Sequence, residues 1–137
     1  MSTTTTTITS EAVDLLAAGT TVAVATPQRV AFETAAGMGG VLTAKITNGA
    51  SGPTTQCVAT VYVAHTDGSL PAAGAEGATW KRFHVLGGGG LGASAESRFT
   101  LELPQGPRRW MIEFSGPAGN AVTAEAQLTR VTGASTT

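Results

Sequence analysis

The chain has 137 residues and a formal net charge of −1 at pH 7, a size suited to one domain and a charge that offers nucleic acid no basic surface. Only 12% of the residues are charged, whereas charged residues make up about a quarter of an ordinary soluble domain. Because so little charge is available to solvate the outside, we expect part of the surface to be covered by a partner or by copies of the same chain.

Residues 1–10 are rich in threonine and offer few apolar side chains to a core. They predict a flexible N-terminal arm that could add an edge strand to a partner, with Thr5 and Thr7 as contact residues. The N-terminus has neither the basic segment nor the apolar stretch of a secretory signal. No apolar run approaches the ~20 residues of a membrane span, so we expect synthesis in a cytoplasm and no membrane partner. The next segment, 10–16, is compatible with one turn of helix capped by Ser10 or with a short strand, and Gly19 would end either.

Short alternations of apolar and polar residues, closed by glycine or proline, predict strands through the first two thirds of the chain. These strands are expected at 20–25, 29–34, 41–47, 54–66 and 79–86. The segment 54–66 is apolar on both faces, which is typical of a central strand or of one that faces a partner. It contains Cys57, which as the single cysteine forms neither an intrachain disulfide nor a thiolate cluster and is expected to be buried and inert.

The region 97–127 has the clearest strand pattern in the chain. Its three alternations place one set of apolar side chains on a common face: Phe99, Leu101, Leu103, Trp110, Ile112, Phe114, Val122, Ala124, Ala126 and Leu128. A period of two held over three segments, with Pro/Gly turns between them, predicts an antiparallel sheet with one buried face.

Together these segments predict an all-β fold, an antiparallel β-sandwich of eight or nine strands. A jelly roll is favoured over an immunoglobulin-like sandwich, because a single cysteine cannot form the pair that flanks the immunoglobulin tryptophan. The predicted sandwich spans 11–132, between the flexible arm at 1–10 and a flexible, polar C-terminal tail at 133–137.

Candidate catalytic residues are few. His65 and Asp67 could form a ligand or acid–base pair, but a hairpin turn at Asp67-Gly68 is the favoured interpretation. No metal-ligand spacing accompanies His65 or His84, so we predict no metal site. The carboxylates Glu102, Glu113 and Glu125 fall on neighbouring predicted strands, as a glycosidase pair would. They alternate with core residues, however, and are therefore expected to point outward into cross-strand pairs. We predict no enzyme and no cofactor.

Glycine and tryptophan supply the remaining candidates, all for partner contact. The run 87–90 lacks the Lys-Ser/Thr of a phosphate loop and predicts a flexible connection that could become ordered against a neighbouring subunit. Trp110 shares a face with core residues, which leaves Trp80 as a possible interface anchor or sugar-stacking platform. The predicted interface comprises Thr5, Thr7, Trp80, Arg82, Gly88 and Gly90.

Four features carry a resemblance to a known class: the Thr-rich start, the stretch 13–32 leading into a glycine junction at 37–40, the Gly-rich loop at 87–92, and the closing run 110–131. With these features the chain resembles capsid cement or decoration proteins of tailed bacteriophages. The resemblance implies a virion protein, made in the host cytoplasm, that forms a dimer or trimer and binds the major capsid protein. No motif matches residue by residue, so no site residues carry over. A tail, baseplate or head-fibre component and a carbohydrate-binding β-sandwich are the alternatives.

Overall fold

The computed structural model describes residues 4–34, 38–66 and 68–136, which form eight β-strands. The strands are β1 (Thr6–Val22), β2 (Gln28–Glu33), β3 (Gly40–Asn48), β4 (Val58–Ala64), β5 (Lys81–Gly88), β6 (Glu96–Leu103), β7 (Arg109–Phe114) and β8 (Val122–Thr136). Among the described residues, no helix is long and apolar enough to cross a membrane.

The strands form two four-stranded sheets, in the orders β1-β8-β3-β6 and β2-β7-β4-β5. Every pairing is antiparallel, and the first strand pairs with the last, the second with the seventh, the third with the sixth and the fourth with the fifth. A long hairpin rolled into two sheets in this way is a jelly roll. The predicted all-β, jelly-roll-like sandwich is therefore confirmed, with eight strands.

The core lies between the sheets and is built from alternate residues of each strand, as the period of two requires. Trp110, Ile112 and Phe114 of β7 are fully buried, and they pack with Leu42 and Ile46 of β3 across the sandwich. Of the apolar set predicted from 97–127, Phe99 and Leu101 are half-buried against the core and the others are buried. The single antiparallel sheet predicted for these three segments is wrong, because β6 and β8 lie in one sheet with β3 between them and β7 lies in the other. Cys57 lies in the same core, as expected.

Strand β4 lies between β7 and β5, which confirms its prediction as a central strand. Its outer face is covered by the loop that follows it. Trp80, at the end of that loop, packs with Tyr62, Ala64 and Met111 in a second apolar cluster. The chain thus provides its own cover for the second apolar face of β4.

Strand β1 differs from the prediction of a short element at 10–16 and a separate strand at 20–25. It is one strand of 17 residues whose pairing with β8 is interrupted between Leu16 and Thr20. Gly19 lies in this interruption with a φ of +82°, a conformation that glycine adopts without steric penalty. The glycine therefore allows an irregularity within the strand where a strand end was expected.

Candidate functional site: the paired ends of the chain

The first and last segments of the chain pair with each other. Residues 6–10 of β1 lie against 131–136 of β8, with Thr6 opposite Thr136 and Ile8 opposite Ala134. We call these two segments the terminal ribbon. Half of the arm predicted at 1–10 (residues 6–10) and most of the tail predicted at 133–137 (residues 133–136) thus belong to paired strands, while residues 1–3 and 137 lie outside the described residues.

The terminal ribbon extends past the rest of its sheet. The pairing of β3 with β8 ends where Gly40 lies opposite Arg130, followed by one bond of 3.4 Å from the Val131 N–H to the Gly39 carbonyl. Within the described ranges, no strand pairs with the outer edge of β1 or with β8 beyond this point. Both edges of the ribbon therefore expose main-chain donors and acceptors.

Charged contacts hold the base of the ribbon, and the rest of the ribbon contains no charged side chains. Arg130 forms an ion pair of 3.3 Å with Glu11 and donates a hydrogen bond of 2.8 Å to the Glu33 carbonyl, which ties the base to the end of β2. Beyond this contact, neither segment of the ribbon contains a charged residue, and Ile8 is 59% exposed. The arrangement can offer hydrogen bonds and a little apolar surface to an extended partner segment.

The six predicted interface residues do not form one surface. Thr5 and Thr7 are exposed at the start of the ribbon, and Arg82 is exposed on β5, where it pairs with Glu76 at 3.5 Å. β1 is an edge strand of one sheet and β5 is an edge strand of the other. The arm residues and Arg82 therefore lie on different edges of the sandwich and do not share one surface.

Trp80 requires a correction. Its side chain is 2% exposed, and the indole N–H donates a hydrogen bond of 3.0 Å to the Ala72 carbonyl. The residue packs on Tyr62 and Met111 as part of the cover over β4. Because its ring faces the interior, Trp80 is neither an exposed anchor nor a sugar-stacking platform in this structure.

The glycine loop also differs from its prediction. Gly88 ends β5, and both Gly88 and Gly90 are half-buried. The side-chain amide of Asn48 donates hydrogen bonds to the carbonyls of Gly90 and Gly92, at 2.7 and 2.8 Å, and the Gly89 N–H donates to the Cys57 carbonyl at 2.7 Å. Contacts within the chain thus order a loop that was predicted to be a flexible connection.

The three candidate carboxylates point away from the core, as predicted, but they do not converge. Glu102 on β6 and Glu125 on β8 belong to one sheet and Glu113 on β7 to the other, because these three strands alternate between the sheets. Glu113 accepts from the Arg29 guanidinium at 2.7 Å and Glu125 pairs with Lys45 at 3.0 Å, whereas Glu102 is exposed.

The pKa values of the basic and phenolic partners follow from these pairs. Hydrogen bonds from Lys45 to Glu125 and Glu96 raise the pKa of the Lys45 ammonium. Burial, together with the charge of Glu113, raises the pKa of Tyr62, whose hydroxyl lies 3.3 Å from that carboxylate. Both shifts favour the forms already present at neutral pH, so these pairs act as structural contacts there.

The histidines lie apart. His65 lines a shallow pocket of about 300 Å³ together with Thr66, Arg108 and Arg109, and Asp67, its predicted partner, lies outside the described residues. His84 is exposed on β5. In the portions of the chain that the structure describes, no three His, Cys, Asp or Glu side chains are grouped to hold a metal ion.

Similarity to known proteins is found at the level of the fold. No protein-family model matches the chain, and no curated protein matches it. Among solved structures, VP2 of the infectious bursal disease virus subviral particle is similar with a TM-score of 0.57, at 13% identity over 92% of this chain. The structure of the Gx strain of infectious bursal disease virus gives a TM-score of 0.54, at 12% identity over 89% of this chain.

This chain spans only about a third of those two viral chains, 33% and 31% of their lengths. The CBM36-1 domain of a multidomain xylanase from the hindgut metagenome of Trinervitermes trinervoides is also similar, with a TM-score of 0.44 and 10% identity, over 88% of this chain and 96% of that one. At such low identity, the similarity to the viral proteins shows that this chain shares their β-sandwich fold.

The sequence did not predict the terminal ribbon, although both of its segments carry a signal. They are rich in threonine and other strand-forming residues, and each adjoins one member of the Glu11–Arg130 ion pair. The pairing itself joins residues more than a hundred positions apart, as Thr6 and Thr136 illustrate, and no local pattern specifies it.

Proposed function

We propose that this chain is a non-enzymatic virion structural protein that binds and stabilises a phage capsid lattice as a cement or decoration protein. The observation that carries the proposal is the terminal ribbon, an uncharged two-stranded extension with both edges open. Natural proteins protect exposed strand edges with lysine, proline or a covering segment. The ribbon contains no lysine and no proline, so its edges are suited to binding.

Strand addition explains how such a ribbon would hold a lattice. An isolated pair of strands is only marginally stable in water, and a third strand from a capsid subunit would satisfy its open main-chain groups. Each contact can be weak, since many copies bound to one shell multiply the effect by avidity. We further propose that the chain acts as a small homo-oligomer, a dimer or trimer, because its low charge leaves much surface to be covered.

No reaction is part of the proposal. Glu113 and Glu125 are held in ion pairs on opposite sides of the sandwich, an arrangement that suits stability and not acid–base catalysis. Burial of Trp80 and Trp110 also removes both tryptophans from consideration as a sugar-stacking platform. A tail, baseplate or head-fibre role uses the same ribbon and differs in copy number.

Density-gradient sedimentation of a lysate of the native source, with this chain quantified by mass spectrometry in each fraction, tests the proposal. We expect the chain to travel with assembled particles in about the same molar amount as the shell protein. A few copies per particle would replace the cement role with a tail or vertex role. A chain that stays at the top of the gradient would overturn the virion proposal.

A matched pair of variants tests the ribbon itself. Ile8→Lys places a charge on the exposed ribbon, and Val85→Lys places one on exposed β5. When each replaces the wild-type chain in the native source, we expect Ile8→Lys to be lost from the particle fraction and Val85→Lys to stay there. Equal retention of the two variants would show that the ribbon is not the docking element.

A further inference from the structure

The end of the sandwich opposite the terminal ribbon is formed by four loops. They connect β1 to β2, β3 to β4, β5 to β6 and β7 to β8, and comprise residues 23–27, 49–57, 89–95 and 115–121. Because odd-numbered strands run towards this end and their antiparallel partners run back from it, all four loops lie together. We call this surface the loop end.

The loop end contains no charged residue. Its 28 residues include no Asp, Glu, Lys, Arg or His, so all eight basic and all nine acidic residues of the chain lie elsewhere. Exposed loops are normally among the more polar and charged parts of a small protein. An entire end of the molecule without charged residues is therefore a distinct feature. The low overall charge of the chain does not by itself require that all the charged residues lie elsewhere.

Hydrogen bonds between the loops hold the surface in one shape. The Ala25 N–H donates to the Pro117 carbonyl at 3.0 Å, and the Thr54 N–H donates to the Ala118 carbonyl at 2.8 Å. The Asn120 side chain donates to the Gly52 carbonyl at 3.0 Å. These bonds join three of the four loops in a row, in the order 23–27, 115–121, 49–57.

The remaining loop, 89–95, is joined to this row in the same manner. The Ser94 N–H donates to the Gly49 carbonyl at 2.8 Å, and the Asn48 amide binds two carbonyls of the 89–95 loop. A Cβ atom on Gly52 would overlap the Leu91 carbonyl oxygen, so only glycine permits this close approach of the two backbones. The loop end is consequently ordered before any partner arrives.

Two large apolar side chains project from this ordered surface. Val24, in the first loop of the row, is 44% exposed, and Leu91, in the last, is 56% exposed. Loops held by hydrogen bonds cannot easily turn these side chains inward. A surface that is both preordered and partly apolar loses little conformational entropy when it binds.

We propose that the loop end is the surface through which copies of this chain bind one another. In a contact with two-fold symmetry, the same patch of each copy faces the other, so any charge near the axis would meet a like charge. The loop end avoids this repulsion because it has no charge. The charged groups of a different partner would lose their hydration on binding without gaining an opposite charge. A second copy, whose loop end is also uncharged, is therefore favoured as the occupant.

The size of the surface agrees with this assignment. A stable protein–protein interface of standard size uses about 20–30 residues on each side, and 24 of the 28 loop-end residues are at least partly exposed, all but Pro53, Cys57, Gly89 and Pro117. The inference rests on the proposed self-association, to which it assigns a surface, and is independent of whether a capsid lattice is the other partner. The ribbon at the opposite end remains free for that partner.

Light scattering coupled to size-exclusion chromatography, on the full chain at tens of micromolar, tests the inference. We expect a mass of at least two protomers for the wild type. Leu91→Asp and Val24→Asp should each weaken self-association roughly tenfold or more, since a charge would be buried without a partner. Val85→Asp, at a position on β5 that is 45% exposed and lies outside both the loop end and the ribbon, should keep the wild-type mass.

Circular dichroism and thermal unfolding check that each variant is folded; exposed positions such as 24 and 91 are expected to tolerate the change. If the wild type is oligomeric and both loop variants keep its mass, the loop end is not the interface, although self-association stands. A wild type that is monomeric at this concentration overturns both. The particle gradient gives its answer separately, so a failed interface and a failed virion role can be told apart.

Discussion

Asn48 and Gly90 are joined by a hydrogen bond of 2.7 Å from the Asn48 side-chain amide to the Gly90 carbonyl oxygen. The same amide donates to the Gly92 carbonyl at 2.8 Å, and Asn48 is buried at the end of β3. A single side chain on a strand thus orders a loop whose glycines have no side chains to do so.

Replacing Asn48 by alanine should lower the free energy of unfolding by about 2–3 kcal/mol, because two hydrogen bonds are lost and two carbonyls lose their partner. Urea denaturation measures the change. Asn120→Ala is the matched control, since Asn120 is exposed and donates a single bond, to the Gly52 carbonyl; its loss should cost less than about 1 kcal/mol. Equal effects of the two substitutions would contradict the role given to Asn48.

Thr34 should be a second site of high sensitivity. Its hydroxyl accepts a hydrogen bond of 3.2 Å from the Trp110 indole and donates one of 3.1 Å to the Pro107 carbonyl, and both Thr34 and Trp110 are fully buried. Thr34→Val keeps the shape and removes both bonds, so we expect a loss of about 1–3 kcal/mol in denaturant unfolding. Thr100→Val, at an exposed position on β6, should stay within about 0.5 kcal/mol of the wild type.

Substitution of Trp80 tests whether this residue stabilises the fold or forms a binding platform. Because its ring is buried on Tyr62 and Met111, we expect Trp80→Ala to destabilise the fold by about 3–5 kcal/mol. Trp80→Phe keeps most of the packing and loses only the hydrogen bond to the Ala72 carbonyl, so it should destabilise the fold clearly less than Trp80→Ala does. A Trp80→Ala protein that folds with wild-type stability but has lost glycan binding would instead support the carbohydrate-binding alternative.

The parts of the fold that could be predicted are those with a local cause. Strands β6 to β8 alternate residue by residue between glycine and proline turns, so their buried side chains follow from period alone. β4 was assigned correctly as a central strand for a similar reason, its two apolar faces. The jelly roll was favoured over an immunoglobulin-like sandwich because a single cysteine cannot form the immunoglobulin pair, whereas the order of the strands was not predicted.

The remainder depends on contacts that are distant in sequence. Trp80 follows a loop of Ala, Gly and Pro whose composition gives no sign that it packs over β4. Composition alone predicts a flexible glycine loop, because the side chain that orders it, Asn48, lies on a strand distant in sequence. The ribbon requires both ends of the chain at once. The interface prediction consequently identified exposed residues at Thr5, Thr7 and Arg82 and failed for Trp80.

Cys57 gives the fold a dependence on alkaline pH. Burial in the core raises the pKa of its thiol from an ordinary 9.0 to about 12. Between these values the unfolded chain loses the thiol proton and the folded chain retains it, so the free energy of unfolding should fall as pH rises, by about 1.4 kcal/mol per pH unit. Cys57→Ala should remove this part of the slope in urea titrations above pH 9, while the contribution of Tyr62, whose pKa is also raised, is common to both proteins and cancels. Identical slopes for the two proteins would show that the thiol ionises equally in both states and is accessible to water.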